Sequence, residues 1–297
     1  TRWVIPPIFA VVVVAAAVLA NNCPYCYSFT DLVTAKQSES QIAHQKIKST
    51  FGNENMVALI VPKGNYDAER AVLQELEACP EAKSCQGLAN TEAQDGYMLA
   101  DAVTPRQFSE LAGTDYEVAE ALYVAYAVDH DQYGSVLSGI GDYKVPLFDL
   151  FMFLQDEMKG GNITLEGDIQ DTLDDLFDQL NWAQVQLQSD KYSRMVVYLN
   201  LPEESDETMA FLDTIHGILA RYYSGNTYVV GNSTNVKDLS GSFVQDNILI
   251  SVLSALFVVL ILLFTFQSVG LPILLIIVIQ GSIWMNFAVP TLQDEPL

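Results

Sequence analysis

The sequence has 297 residues, of which half are apolar and 17% are charged, with a formal net charge of −23 and a mean hydropathy of +0.21. This charge excludes a basic nucleic-acid-binding protein, because there is no excess of lysine and arginine to neutralise phosphates. The 14 tyrosines and 14 phenylalanines exclude an acidic disordered chain. High charge and positive hydropathy fit together only if the acidic and the apolar residues occupy different segments.

Three uncharged segments are long enough to cross a membrane. Residues 3–20, 248–266 and 269–290 contain no charged side chain, and a helix needs about 20 apolar residues to cross roughly 30 Å of hydrocarbon. We therefore predict transmembrane helices over residues 1–20, 248–266 and 269–290. A signal peptide is the alternative for the first segment, because it ends in small residues that permit cleavage. The chain starts without Met and ends just after the third segment, so we expect a fragment of a longer protein.

Nearly all of the charge lies between the first two predicted spans. Residues 21–247 hold 35 of the 37 acidic and 13 of the 14 basic residues, which gives a net charge of −22. Domains of this length cross a membrane largely regardless of charge, whereas Arg2 before the first span favours a cytoplasmic N-terminus. We expect a multi-pass protein of the cell membrane with a large extracytoplasmic domain and then two closely spaced helices.

The four cysteines, Cys23, Cys26, Cys79 and Cys85, all lie in this predicted external domain. An even number outside the cytoplasm favours disulfides, and three connectivities are open. We favour the local pairs Cys23–Cys26 and Cys79–Cys85. The alternatives for the CxxC motif are a redox pair or zinc ligands, but the motif follows a membrane span rather than lying beside a βαβ pattern.

Two strand–helix–strand patterns, near residues 56–90 and 194–231, are separated by about 100 residues. The predicted elements are strands 56–61 and 195–201, helices 67–78 and 206–222, and return strands near 84–88 and 227–231. Two such units side by side predict an α+β membrane protein whose external domain is a ferredoxin-like (split βαβ) sheet with helices on one face.

The segment between the two patterns, residues 97–190, is predicted to be a long helical insertion. Helices are expected over 116–126 and 145–158, and apolar residues from Ile169 to Leu187 follow a 4-3-4-3-4 spacing typical of a helix-packing seam. The acidic residues beside that seam are interpreted as a solvated face, not a metal site; they are Asp168, Asp171, Asp174, Asp175 and Asp178. Three phenylalanines of the 145–158 helix pack in a core or, alternatively, contact apolar cargo; they are Phe148, Phe151 and Phe153.

No pattern in the sequence predicts catalysis, a cofactor or a metal site. Nucleophile-elbow, zinc-protease, dinucleotide-binding and phosphate-loop motifs are all missing, and the three histidines (His44, His130 and His216) have no patterned partners. The predicted spans contain no ionisable residue, so they carry no proton relay of their own. Their central polar residues, Gln280, Ser282 and Asn286, predict helix–helix packing, with a substrate or proton-accessible cavity as the alternative.

Particular residues around the last two predicted spans resemble the MMPL branch of the RND transporter superfamily, in a form common in Gram-positive anaerobes. The resemblance is strongest over residues 190–290. It is carried by Gly231-Asn232-Ser233-Thr234, Asp238-Leu239, Ser242-Phe243, Asp246-Asn247, Phe264-Thr265-Phe266-Gln267-Ser268, Leu271-Pro272 and the run from Gln280 to Phe287. The order of span, large external domain and paired spans is that of the first part of one repeat of such a transporter.

The resemblance implies a proton-motive-force-driven exporter of lipids or other hydrophobic compounds, whose external part is a porter domain. Its implied partners are the lipid bilayer, a hydrophobic or amphiphilic substrate and the remainder of the transporter, with oligomerisation left open and no nucleic acid. Related proteins carry their Asp–Tyr proton relay in the next span, beyond this sequence. The alternative function is a membrane-anchored extracytoplasmic domain that binds a ligand or acts as a sensor.

Overall fold

The computed structural model describes residues 4–23, 27, 38–52, 55–94, 96–134, 139–161, 167–266 and 270–293. It divides into two compact units. The first, which we call the helical unit, contains Thr1–Asn53, Glu203–Met209 and Ser233–Leu297. The second, the α/β unit, contains Glu54–Pro202 and Ala210–Asn232.

The described helices and strands alternate along the chain with a long helical stretch in the middle. In chain order they are α1 (Ile5–Ala20), α2 (Glu39–Phe51), β1 (Asn55–Pro62), α3 (Tyr66–Glu77), β2 (Ala82–Gln86), β3 (Glu92–Gln94), β4 (Tyr97–Met98), β5 (Ala102–Val103), α4 (Pro105–Ala112), α5 (Tyr116–Asp129), β6 (Val145–Pro146), α6 (Leu147–Lys159), α7 (Gly167–Leu187), β7 (Tyr192–Leu199), α8 (Asp206–Tyr222), β8 (Tyr228–Gly231), α9 (Asn232–Phe266) and α10 (Gly270–Gln293).

The α/β unit is built on a four-stranded sheet of order β2-β7-β1-β8. Every neighbouring pair is antiparallel, and Leu59 of β1 lies opposite Met195 of β7. Strands β1 and β2, joined by α3, therefore lie on either side of β7, while β7 and β8, joined by α8, lie on either side of β1. This is the order that two interleaved strand–helix–strand units produce, and the six predicted elements are present with ends shifted by a few residues.

Alternating residues of β1 and β7 form one fully buried face of the sheet. Val57, Leu59 and Val61 are buried on β1, and they lie opposite Val197, Met195 and Ser193 of β7. The α3 helix covers this face, because a Cβ added to Gly87 would meet both Leu73 of α3 and Met195 at 3.0 Å. Apolar side chains of α8, at four-residue and three-residue spacing, complete the core; they are Leu212, Ile215 and Leu219.

The helical insertion begins with a well-capped helix. Thr104 caps α4 in a reciprocal capping box with Gln107, and Gly113 ends it in the left-handed conformation at φ 63°. The predicted helices near 116–126 and 145–158 are present as α5 and α6. The second prediction starts too early, because Val145 and Pro146 pair with β5 as a short strand. Residues before a proline favour extended backbone, so α6 begins only at Leu147.

Two helices of the helical unit are long and apolar enough to cross a membrane, by length and composition. The 35 residues of α9 correspond to roughly 52 Å and the 24 residues of α10 to roughly 36 Å. The predicted span at residue 248 is thus the second part of a helix that begins at Asn232. Helix α1 has 16 residues, or about 24 Å, which is short of a full span. A third transmembrane helix stays a prediction.

Helix α1 packs closely against α10 at a glycine. A Cβ added to Gly281 would lie 2.7 Å from Cγ2 of Val13 and 3.6 Å from the ring of Phe9. The Thr291 hydroxyl donates a 3.0 Å hydrogen bond to the carbonyl of Leu19 farther along the same pair. Small residues that allow close backbone approach are the usual basis of helix association in membranes. The close approach occurs at Gly281, within the Gln280–Ser282 segment for which the sequence predicts helix–helix packing.

Candidate ligand cleft and a cavity between the apolar helices

An open cleft of about 910 Å³ lies in the α/β unit, within the size range of small-molecule sites. Four elements form its walls: strand β3, helix α4, helix α6 and helix α7. Its floor consists of Leu99, Phe151 and Leu180, each at least nine-tenths buried. Such a floor can accept apolar groups but offers them no hydrogen bonds.

The helices that position the floor are held together by aromatic contacts. Phe151 of α6 packs on Phe108 of α4 with ring centroids 5.6 Å apart, and Phe108 also contacts Tyr123 of α5. The hydroxyl of Tyr123 is buried and donates a 2.8 Å hydrogen bond to the carbonyl of Val103. These contacts fix α4 and α6 against each other, so the floor is set by the core of the insertion.

One wall of the cleft carries a large exposed aromatic side chain. Trp182 of α7 is 70% exposed, and its neighbour Ala183 also lines the cleft. The charged residues among the described lining are acidic: Glu92 from β3, Glu110 from α4 and Asp178 from α7, each exposed. The cleft therefore combines an apolar floor, an accessible indole and a negative rim.

The three phenylalanines predicted to pack in a core or to contact cargo differ in their position relative to the cleft. Phe148 and Phe153 are buried and do not line the cleft, whereas Phe151 does. Trp182 was missed from the sequence. It lies outside the apolar spacing of Leu176, Leu180 and Ala183, on the polar side of the helix. A large aromatic residue on a polar helix face is the signal that could have identified it as a binding residue.

A second cavity, of about 240 Å³, lies between α9 and α10. Its lining is aliphatic except for Ser251, Ser254 and Gln280. Of the three polar residues predicted in this region, Gln280 thus lines a cavity between the two apolar helices. Ser282 is exposed and its hydroxyl donates to the carbonyl of Val278 at 2.9 Å, and Asn286 is also exposed, so neither joins Gln280 there.

A buried polar cluster, unrelated to the predicted sites, lies where α3, α6 and the start of β7 meet. The hydroxyl of Tyr66 donates a 2.9 Å hydrogen bond to Asp149 and accepts one of 3.1 Å from Gln188. Glu69 is fully buried, and among the described residues neither of its carboxylate oxygens has a hydrogen-bond partner. Burial raises the pKa of both Asp149 and Glu69.

Three of the four cysteines fall within the described residues; Cys26 lies outside them. Cys79 and Cys85 are present as free thiols, and their pairing under oxidising conditions stays a prediction. Cys79 donates to the carbonyl of Glu75 at 3.3 Å at the end of α3. Cys85 is buried, and burial raises its pKa to about 12, so its thiol is protonated and poorly reactive. The Cys23–Cys26 pairing stays a prediction.

The remaining candidates show no metal-binding arrangement. Within the described ranges, no group of three or more His, Cys, Asp or Glu side chains is placed to hold a metal ion. His130 stacks on Tyr126 with ring centroids 3.9 Å apart, and His216 is exposed. Asp178 is exposed, as predicted. The structure does not describe the side chains of the other acidic candidates or of one histidine; these are Asp168, Asp171, Asp174, Asp175 and His44.

Comparison with known proteins relates the second half of the chain to one family. Residues 154–294 match the model of the MMPL family, which covers α7, the second strand–helix–strand unit and both long apolar helices. No curated protein and no solved structure matches the chain significantly. The matched range includes the motifs in which the sequence resembles MMPL proteins. The match spans slightly less than half of the chain, and over residues 154–294 the sequence is similar to the MMPL family, which supports a membrane protein related to RND-type transporters.

Proposed function

We propose that this protein exports lipids or other hydrophobic compounds across the cell membrane by using the proton motive force. The MMPL match over residues 154–294 carries the proposal, because it includes both helices that are long enough to cross a membrane. The apolar cleft of about 910 Å³ supports a hydrophobic substrate. The alternative of a ligand-binding or sensory domain has no comparable support, and no catalytic step is proposed.

In this proposal the α/β unit is a ferredoxin-like porter domain on the extracytoplasmic side. The interleaved antiparallel sheet supports that assignment, as does the position of this unit in the chain before α9 and α10. The apolar parts of α9 and α10 contain no ionisable side chain, so they offer no proton relay of their own. The polar cavity of Ser251, Ser254 and Gln280 would then respond to the movement of the helices, not to protons directly.

Transport is tested in everted membrane vesicles from cells that produce the protein. A fluorescent alkyl probe should move into the vesicle lumen on energisation, and a protonophore should abolish this movement. Vesicles without the protein provide the baseline. Probe movement that persists after the proton gradient has collapsed would contradict proton coupling, and no movement above baseline for alkyl probes of several head-group charges would contradict export.

The location of the α/β unit is tested separately with a single accessible thiol. Glu117 is exposed on α5, so Glu117→Cys should react with a membrane-impermeant maleimide in intact cells. The parent chain, with its native cysteines, is the control for background labelling. Labelling of Glu117→Cys only after the cells are opened would place this unit in the cytoplasm and overturn the proposed orientation.

A further inference from the structure

We infer that the cleft of the α/β unit is a binding site for cationic amphiphiles, that is, molecules with one apolar tail and an ammonium head group. The inference rests on the proposed function, because it names the class of hydrophobic compound that the transporter would select. It is carried by the combination of an apolar floor, an exposed indole and an acidic rim at one cleft.

The floor is suited to an apolar tail. Leu99, Phe151 and Leu180 present only carbon atoms to it, and Leu111 and Leu176 extend this surface along α4 and α7. Burying a tail against such a surface yields about 25 cal/mol for each Å² removed from water. This part of the site would bind an apolar chain whatever its head group, so it supplies affinity without selectivity for charge.

The rim selects the charge of the head group. Glu92, Glu110 and Asp178 are the charged residues among those lining the cleft, and they come from three different elements. Among the residues that the structure describes, no lysine, arginine or histidine lines it. An anionic head group would approach three carboxylates without a compensating cation, whereas an ammonium group would be attracted by all three.

The indole of Trp182 favours the same kind of head group. A cation over the face of a tryptophan ring is attracted by roughly 0.5–2 kcal/mol, and quaternary ammonium groups are the ligands that most often use this contact. Trp182 is 70% exposed and therefore accessible to a ligand in the cleft. The carboxylates and the indole thus point to the same chemistry from independent physical effects.

Binding can be followed through Trp182 itself. The chain has three tryptophans, so a variant with Trp3→Phe and Trp284→Phe reports on Trp182 alone. In this protein, reconstituted in zwitterionic nanodiscs, a tail-brominated alkyltrimethylammonium should quench the indole fluorescence. An alkyl sulfate with the same tail should bind at least tenfold more weakly, and added salt should reduce the difference.

Charge-neutralising variants separate the rim from the overall charge of the protein. The triple change Glu92→Gln, Glu110→Gln and Asp178→Asn should weaken ammonium binding by about tenfold, which is about 1.4 kcal/mol. It should leave binding of a neutral alkyl glycoside unchanged. The matched control neutralises three exposed acids away from the cleft, Asp67→Asn, Glu117→Gln and Asp142→Asn, and should bind ammonium as the parent does.

Two results would overturn the inference. One is equal quenching by the alkyltrimethylammonium, the alkyl sulfate and the alkyl glycoside, which would mean that the cleft binds the apolar tail without selecting the charge of the head group. The other is an equal loss of ammonium binding in the rim and control variants, which would assign the preference to net charge. The measurement is made at equilibrium and without a proton gradient, so its failure is distinguishable from a failure of the proposed transport.

Discussion

Replacing Glu69 with glutamine removes an uncompensated acid from the core of the α/β unit. Both carboxylate oxygens of Glu69 are buried without a hydrogen-bond partner within the described part of the chain. Burial raises its pKa most. The hydroxyl of Ser193 lies near enough to lower this pKa by a smaller amount, although it does not meet hydrogen-bond geometry, and the charge of Asp149 raises the pKa further. A buried polar group without a partner costs roughly 1–3 kcal/mol, and a charged one costs more. A buried glutamine amide would also lack partners, so the substitution removes only the charge-specific part of this cost, and we expect Glu69→Gln to raise the free energy of unfolding by about 1–2 kcal/mol at neutral pH.

The effect should depend on pH with a definite sign. A carboxyl whose pKa is raised on folding binds more protons in the folded state than in the unfolded state. Stability is then full below the unfolded pKa and falls as the pH rises toward the folded pKa, by at most about 1.4 kcal/mol per pH unit for one group. Glu69→Gln removes that loss, so its advantage should be larger at about pH 8 than at about pH 5. Asp149, whose pKa burial also raises, should retain a weaker dependence of the same sign in the variant.

The matched control is Asp67→Asn. Asp67 and Glu69 both lie in the first turn of α3, but Asp67 is exposed. Each substitution removes one negative charge near the helix N-terminus, where it is worth about 0.3–1 kcal/mol, so the difference between the variants isolates burial. Hydrogen exchange of the β7 amides, measured on the whole protein in detergent, reports the opening free energy of this sheet. If Glu69→Gln protects these amides no better than Asp67→Asn at either pH, the reasoning is refuted.

Three further substitutions test close packing and the polar cluster. Gly281→Ala should lower the free energy of unfolding in detergent by about 1–3 kcal/mol, because the added Cβ would meet Val13. Adding Val13→Ala should restore this stability, and failure to do so would argue against the contact. Gly231→Ala should destabilise the α/β unit by a similar amount, because its Cβ would lie 2.7 Å from the carbonyl oxygen of Met56, and unchanged exchange at β1 would contradict this. Tyr66→Phe removes two hydrogen bonds and should cost about 1–3 kcal/mol, measured by thermal unfolding; a neutral effect would mean that this hydroxyl does not stabilise the fold.

The elements of the α/β unit were predictable because their signals are local. Strand β1 alternates between buried and less buried positions, and α8 repeats its buried residues at three-residue and four-residue spacing. The order of the strands in the sheet could be predicted once two strand–helix–strand units were found, because short connections without knots allow only a few sheet topologies. The start of α6 was wrong because the strand at Val145–Pro146 depends on β5, more than 40 residues away.

The cleft was not predictable as a site because its residues come from distant parts of the chain. Glu92 and Asp178 are more than 80 residues apart, and each alone is an ordinary solvated carboxylate. Only the packing of α4, α6 and α7 brings them to one rim. The same holds for Glu69, whose position in a first helical turn favours an exposed acid by sequence alone. Burial of that acid is a consequence of tertiary packing, which no local pattern encodes.

The polar residues of the long apolar helices show which part of such a site a sequence can determine. Successive helical residues are rotated by about 100°, so Gln280 and Ser282 project about 200° apart and cannot line one cavity. Ser251 and Ser254, three residues apart, share a face and do line one. The sequence therefore sorts these residues by face. It does not say which face of α9 meets which face of α10, because the apolar part of each helix is apolar all round and only the packing of the two helices places Ser251, Ser254 and Gln280 at one cavity.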